Sequence, residues 1–119
     1  MMDIEELICA IRTRPGMFVK DKRLDYIKYF ITGFHCQGSL SKTATAMDYH
    51  FSEGFHVWVR VWIKSNLGIE IDEEGGWYEY IVASTKNNEE AADLFFQLAD
   101  EFFKEYHQLD GDAMKSERT

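Results

Sequence analysis

The sequence predicts an all-α fold: one compact bundle of five to six helices around a long C-terminal central helix. Three observations carry that reading. Apolar residues recur at i, i+3, i+4 and i+7 along several segments, which is the helical period. Helix start and stop residues stand where those stripes begin and end. Proline occurs once in 119 residues, at Pro15, where a many-turned β-sandwich would draw on several. A chain of this length supports one core, so residues 1–109 are expected as a single helical domain and 110–119 as a flexible polar tail.

The first helix begins at Asp3, whose carboxylate can cap it, with Glu6 three residues on completing a capping box. Ile4, Leu7, Ile8 and Ile11 then share one face, Arg12 and Arg14 suit the last turn, and Pro15-Gly16 stops it. Asp21 offers the next cap, ahead of a stripe of Leu24, Ile27, Ile31 and Phe34 widened by Tyr26 and Phe30. That helix is expected to end between Gly33 and Gly38. Ser39, Ser41 and Thr43 mark a loop, and a short helix can follow through Met47.

The segment from Phe51 to Leu67 carries two patterns at once. Phe55, Val57, Val59, Val61 and Ile63 alternate with polar or large residues as in a half-buried strand. Phe51, Phe55, Trp58, Val59 and Trp62 follow helical spacing, with Ser52 a possible cap and Gly68 at a helix end. The helical neighbours favour a helix. The alternative is an α+β fold with a hairpin formed by Phe55–Ile63 and Trp77–Ser84. Beyond an acidic loop, Trp77, Tyr78, Ile81 and Val82 fit a short helix or a strand. Asn87 with Glu90 caps the last helix, in which Ala91, Leu94, Phe95, Phe96, Leu98, Ala99, Phe102, Phe103 and Tyr106 leave little polar surface. A face that wide implies burial from more than one side, hence the central position.

Thirteen basic against twenty-one acidic side chains give a net charge of -8. That balance opposes non-specific binding to nucleic acid or to anionic membranes, both of which need Lys and Arg. The start, Met1-Met2-Asp3, has neither the basic residues nor the apolar run of a secretory signal, and no stretch approaches the roughly 20 apolar residues of a spanning helix. A cytoplasmic location is expected, with Cys9 and Cys36 as reduced, largely buried thiols.

Catalytic and metal signatures are weak. His35, His50, His56 and His107 with the two cysteines form no CxxC, HExxH or paired Cys/His module, so neither a metal nor a cofactor is expected. His35 and Cys36 are adjacent, but neighbours on a helix point about 100° apart and do not make a catalytic pair. No GxSxG elbow occurs, and Gly75-Gly76 lacks a following Lys-Ser/Thr. Arg14-Pro15-Gly16-Met17-Phe18 is similar to a string in DNA gyrase B and related ATPases, but their Asn-bearing helix and Asp-x-Gly-x-Gly segment are missing; the string reads as a helix stop and tight turn.

The order of features is more informative than any one of them. An amphipathic helix leads to Arg14–Phe18. Tyr29-Phe30-Ile31-Thr32-Gly33-Phe34 follows, then Gly54-Phe55 with Trp58-Val59, then Gly76-Trp77 with Ile81. Glu89 to Phe96 and Leu98 to Phe103 close the series. From Ile4 to Tyr106 this resembles a group of small acidic bacterial proteins encoded in polymorphic-toxin and contact-dependent growth inhibition gene clusters, where they act as immunity proteins. The resemblance implies a helical Phe51–Ile63 segment and a cytoplasmic, non-catalytic inhibitor that binds one cognate toxin domain. A toxin that is a nuclease would be basic, and an acidic inhibitor would be steered to it.

Interface anchors are aromatic residues ringed by polar groups. Asp72, Glu73 and Glu74 beside Trp77 and Tyr78 have that composition, and Asp48, Tyr49 and Glu53 form a second candidate patch. Two other readings remain open: an acidic regulatory adaptor resembling a DNA mimic, and a small enzyme with a pocket lined by Trp58, Trp62 and Tyr78. Spare aromatic residues permit a dimer without requiring one.

Overall fold

The computed structural model describes residues 2–14, 23–71 and 75–117, with side chains as far as residue 109. It contains five helices: α1 (Ile4–Thr13), α2 (Leu24–Leu40), α3 (Ala46–Leu67), α4 (Trp77–Ala83) and α5 (Asn88–Glu117). No strand occurs among the described residues, so the fold is the expected all-α bundle and the hairpin alternative does not form.

Local signals explain most boundaries. The Asp3 carboxylate accepts the Glu6 N–H at 2.9 Å, and Ile4, Leu7, Ile8 and Ile11 are buried as one stripe. The proposed stop at Pro15-Gly16 and the cap at Asp21 lie outside the described residues. The residue at the start of α2 is Arg23, which supplies no side-chain cap; Asp25 accepts the Tyr26 N–H and pairs with the Arg23 guanidinium at 3.1 Å. Helix α2 runs on to Leu40, past its glycines.

The expected short helix through Met47 and the ambiguous segment after it are one helix of 22 residues. It starts at Thr45 rather than at Ser52. The Thr45 hydroxyl accepts the Asp48 N–H, and the Asp48 carboxylate accepts the Thr45 N–H at 2.8 Å. The helix ends at Gly68, whose φ of 68° is the left-handed conformation that a glycine adopts without Cβ strain. Its inward row is Phe51, Phe55, Val59 and Ile63, spaced by four. Val57 and Val61, the other half of the strand-like alternation, face outward.

Helix α5 opens with the Asn87 side chain accepting the Glu90 N–H at 2.8 Å. It touches all four other helices, as its wide apolar face requires. It also continues to Glu117, beyond the Leu109 limit predicted for the helical domain. Helix, once nucleated, gains one hydrogen bond per residue fixed, and Ala, Met, Lys and Glu are favourable within it.

The centre is built from rings. Phe51 stacks on Phe55 at 4.5 Å, Phe55 meets Phe102 edge-on at 5.2 Å, and Phe51 lies 5.7 Å from Phe103. Such geometries add about 0.5–1.5 kcal/mol per pair beyond the area buried. One carboxylate sits inside this shell. Asp48 is 5% exposed, and its second oxygen accepts the Ile4 N–H at 2.8 Å. A single side chain therefore serves the unpaired N–H groups at the starts of both α1 and α3.

Candidate functional site

The first predicted patch is only partly a surface. Asp72, Glu73 and Glu74 lie outside the described residues. Trp77 is a core residue rather than an exposed anchor: it is buried and stacked on Phe95 at 4.8 Å, because α4 folds onto α5. Tyr78 is half-buried on the α2 side, where the Lys28 ammonium lies 4.7 Å from its ring centre and 3.9 Å from Glu79. Its hydroxyl pKa is raised, first by burial and then by Asp25, Tyr29 and Glu79, with Arg23 opposing. The start of α4 is held to α3 by His56, whose Nδ1 accepts the Trp77 N–H at 2.9 Å. Gly76 lets that ring approach, since a Cβ there would stand 2.6 Å from Nδ1.

The second patch also divides. Asp48 is spent on the helix starts and is not available to a partner. Tyr49 and Glu53 are exposed on α3, and they continue into Val57 and Val61 at intervals of four, which aligns them on one helix face.

That face forms one wall of a groove between α3 and α5, about 440 Å³ in volume. His50, Gly54, Val57, Trp58 and Val61 line it from α3, and Phe102, Glu105, Tyr106 and Leu109 from α5. Val57, Val61 and Leu109 are 65%, 57% and 62% exposed, so its apolar lining faces solvent. The floor is built of rings: His50 lies 5.0 Å from Phe102 and 4.7 Å from Tyr106, and Trp58 meets Phe102 edge-on. Two carboxylates stand on one row of α5, Glu105 in the groove lining and Glu101 one turn beyond it. The Trp58 indole N–H donates to Glu105 at 2.7 Å and that of Trp62 to Glu101 at 3.4 Å, fixing both carboxylates on the same helix. Lys104 is engaged by Asp100 at 3.0 Å.

Sequence reasoning identified Glu53 and Trp58 but not the groove. The signal was present in the surplus of valines at 57 and 61, which the core row at 55, 59 and 63 did not need.

The three aromatics proposed for an enzyme pocket are not gathered. Trp58 lines the groove, Trp62 turns to Glu101, and Tyr78 belongs to the α2–α4 surface. Cys9 and Cys36 are exposed rather than buried, each standing off the apolar stripe of its helix. Among the described residues no three His, Cys, Asp or Glu side chains converge as a metal site requires. His35 is the one described side chain with a buried polar atom, Nε2, that lacks a hydrogen-bond partner. Its ring stacks on Phe51, and burial lowers its pKa. Among the described residues no helix is long and apolar enough to cross a membrane.

No known protein family, curated protein or solved structure matches this chain.

Proposed function

We propose that this protein is a non-catalytic inhibitor that binds a cognate bacterial toxin domain and blocks it, in the manner of the immunity proteins it resembles. The observation that carries this reading is the α3–α5 groove: solvent-facing valines and a leucine on an aromatic floor, bordered by the Glu105 carboxylate that Trp58 holds. An apolar centre with a polar rim is the composition of a protein interface. The net charge of -8 supports the same reading, because a basic toxin such as a nuclease would be drawn to it. An acidic adaptor would use the same surface on a different partner.

The test is co-expression with the gene immediately upstream. The expected result is that the upstream product's C-terminal region kills cells alone, that this chain rescues them, and that the two co-elute. Toxicity without rescue, or rescue without a complex, overturns the reading.

A further inference from the structure

We infer that the α3–α5 groove receives one amphipathic helix of the partner, with an apolar stripe against Val57, Val61 and Leu109 and basic residues over the α5 wall. This rests on the reading of the chain as a partner-binding protein and names the element of the partner that is held.

Gly54 is the first argument. It lies inside α3, where glycine disfavours the helix relative to alanine. Its φ is not positive, and a Cβ built on it meets nothing within 4 Å. No contact within the described structure explains the glycine. Its place in the groove lining does: a missing Cβ lets a second backbone come close. The second argument is the row of valines. The core takes Phe51, Phe55, Val59 and Ile63, and Val57 and Val61 are apolar without serving it. The stretch from His50 to Val61 spans roughly 17 Å at the helical rise, about three turns, which fits a helix laid along it.

Charge selects the occupant. Glu105 accepts the Trp58 indole N–H with one oxygen and keeps the other for an incoming cation, while Glu101, one turn away on the same row, carries its charge with its oxygens held by Trp62 and Gln97. Glu53 adds a carboxylate at the His50 end of α3. Arg60, seven residues after Glu53, shares its exposed face of α3 and offsets it there, and Lys64 lies 3.5 Å from Glu70. The basic flank of the bound helix therefore lies toward α5. A second copy of this chain is disfavoured, since it would set two copies of these carboxylates together in a protein of charge -8.

The experiment titrates the full chain with a synthetic helical peptide of about 16 residues, carrying leucines at i, i+4, i+7 and i+11 and lysines along one flank. A control peptide replaces the lysines with glutamates. Wild type is expected to bind the lysine peptide saturably and the glutamate peptide at least tenfold more weakly. Gly54→Ala should bind the lysine peptide at least tenfold more weakly while melting about 3 °C higher, because the helix gains propensity as the approach is blocked. Val57→Ser with Val61→Ser, which leaves the net charge unchanged, should lose binding similarly. Absence of saturable binding, affinities within twofold of wild type in either variant, or equal binding of both peptides overturns the inference. So does a wild-type dimer that the serine variant disperses. The co-expression assay separates the two levels: rescue that survives in the serine variant removes the groove and keeps the inhibitor, whereas failure of wild-type rescue removes the inhibitor.

Discussion

A buried carboxylate and a half-buried imidazole show how single atoms govern this fold. Asp48 accepts the Ile4 N–H with one oxygen and the Thr45 N–H with the other, both at 2.8 Å. In Asp48→Asn one acceptor becomes an amide donor facing an N–H, so one helix start loses its partner inside the protein. A loss of about 2 kcal/mol is expected, seen as a lower denaturation midpoint at unchanged slope. An unaltered midpoint would show that water serves these groups as well. His35 acts in the opposite sense. Burial between Phe34 and Phe51 lowers its pKa from the ordinary 6.5; Asp48 opposes this and His56 adds to it. The unfolded chain therefore binds a proton near pH 6.5 while the folded one resists it. Stability from this group is complete above that pH and declines as pH falls below it toward the folded-state pKa. His35→Phe should flatten the change in melting temperature between pH 7.5 and 5.5 and add about 1 kcal/mol by removing the unpaired Nε2. An equally steep profile would assign the pH dependence elsewhere.

At the scale of elements, legibility depended on whether a residue's role was local. Asp3, Asn87 and Gly68 marked helix ends in the sequence because caps act within a few residues. The start of α3 was misplaced because Thr45 and Asp48 form their box before the apolar row begins, while Ser52 looked better placed. The strand-like alternation from Phe55 to Ile63 is two helical rows overlaid, one at 55, 59 and 63 for the core and one at 57 and 61 for the groove. Periodicity alone does not separate them, since both rows are β-branched or aromatic. Trp77 and Asp48 were misread as surface because burial is decided by helices distant in sequence: Phe95 covers the one and Ile4 binds the other. The end of α3 offers a direct check on the local side. Gly68→Ala has open space around its Cβ but must adopt a φ of 68°. The penalty is therefore one of backbone alone, about 1 kcal/mol, measurable by thermal unfolding. A much larger loss would mean that the turn into Ile71, which is buried, depends on that glycine.

For the whole molecule, the sign of the charge and its placement combine. A charge of -8 spread over the surface would only keep the protein soluble, and binding would then be indifferent to where the carboxylates stand. The bundle instead lays α5 beside α3 so that Trp58 holds Glu105 in the groove and Trp62 holds Glu101 one turn beyond its lining. Exposed charges act over about 10 Å at 0.1 M salt and about 3 Å at 1 M. Raising sodium chloride from about 0.05 to 0.5 M should therefore slow association with the lysine-flanked peptide roughly tenfold and leave dissociation nearly unchanged, because steering affects encounter and apolar contact governs release. Glu101→Gln with Glu105→Gln should remove most of that salt dependence. Both amide oxygens can still accept from the indoles, so folding is preserved, and stopped-flow tryptophan fluorescence reads both rates. An association rate insensitive to salt in wild type, or a salt dependence retained in full by the double variant, would separate the net charge from recognition and leave the groove as an apolar contact alone.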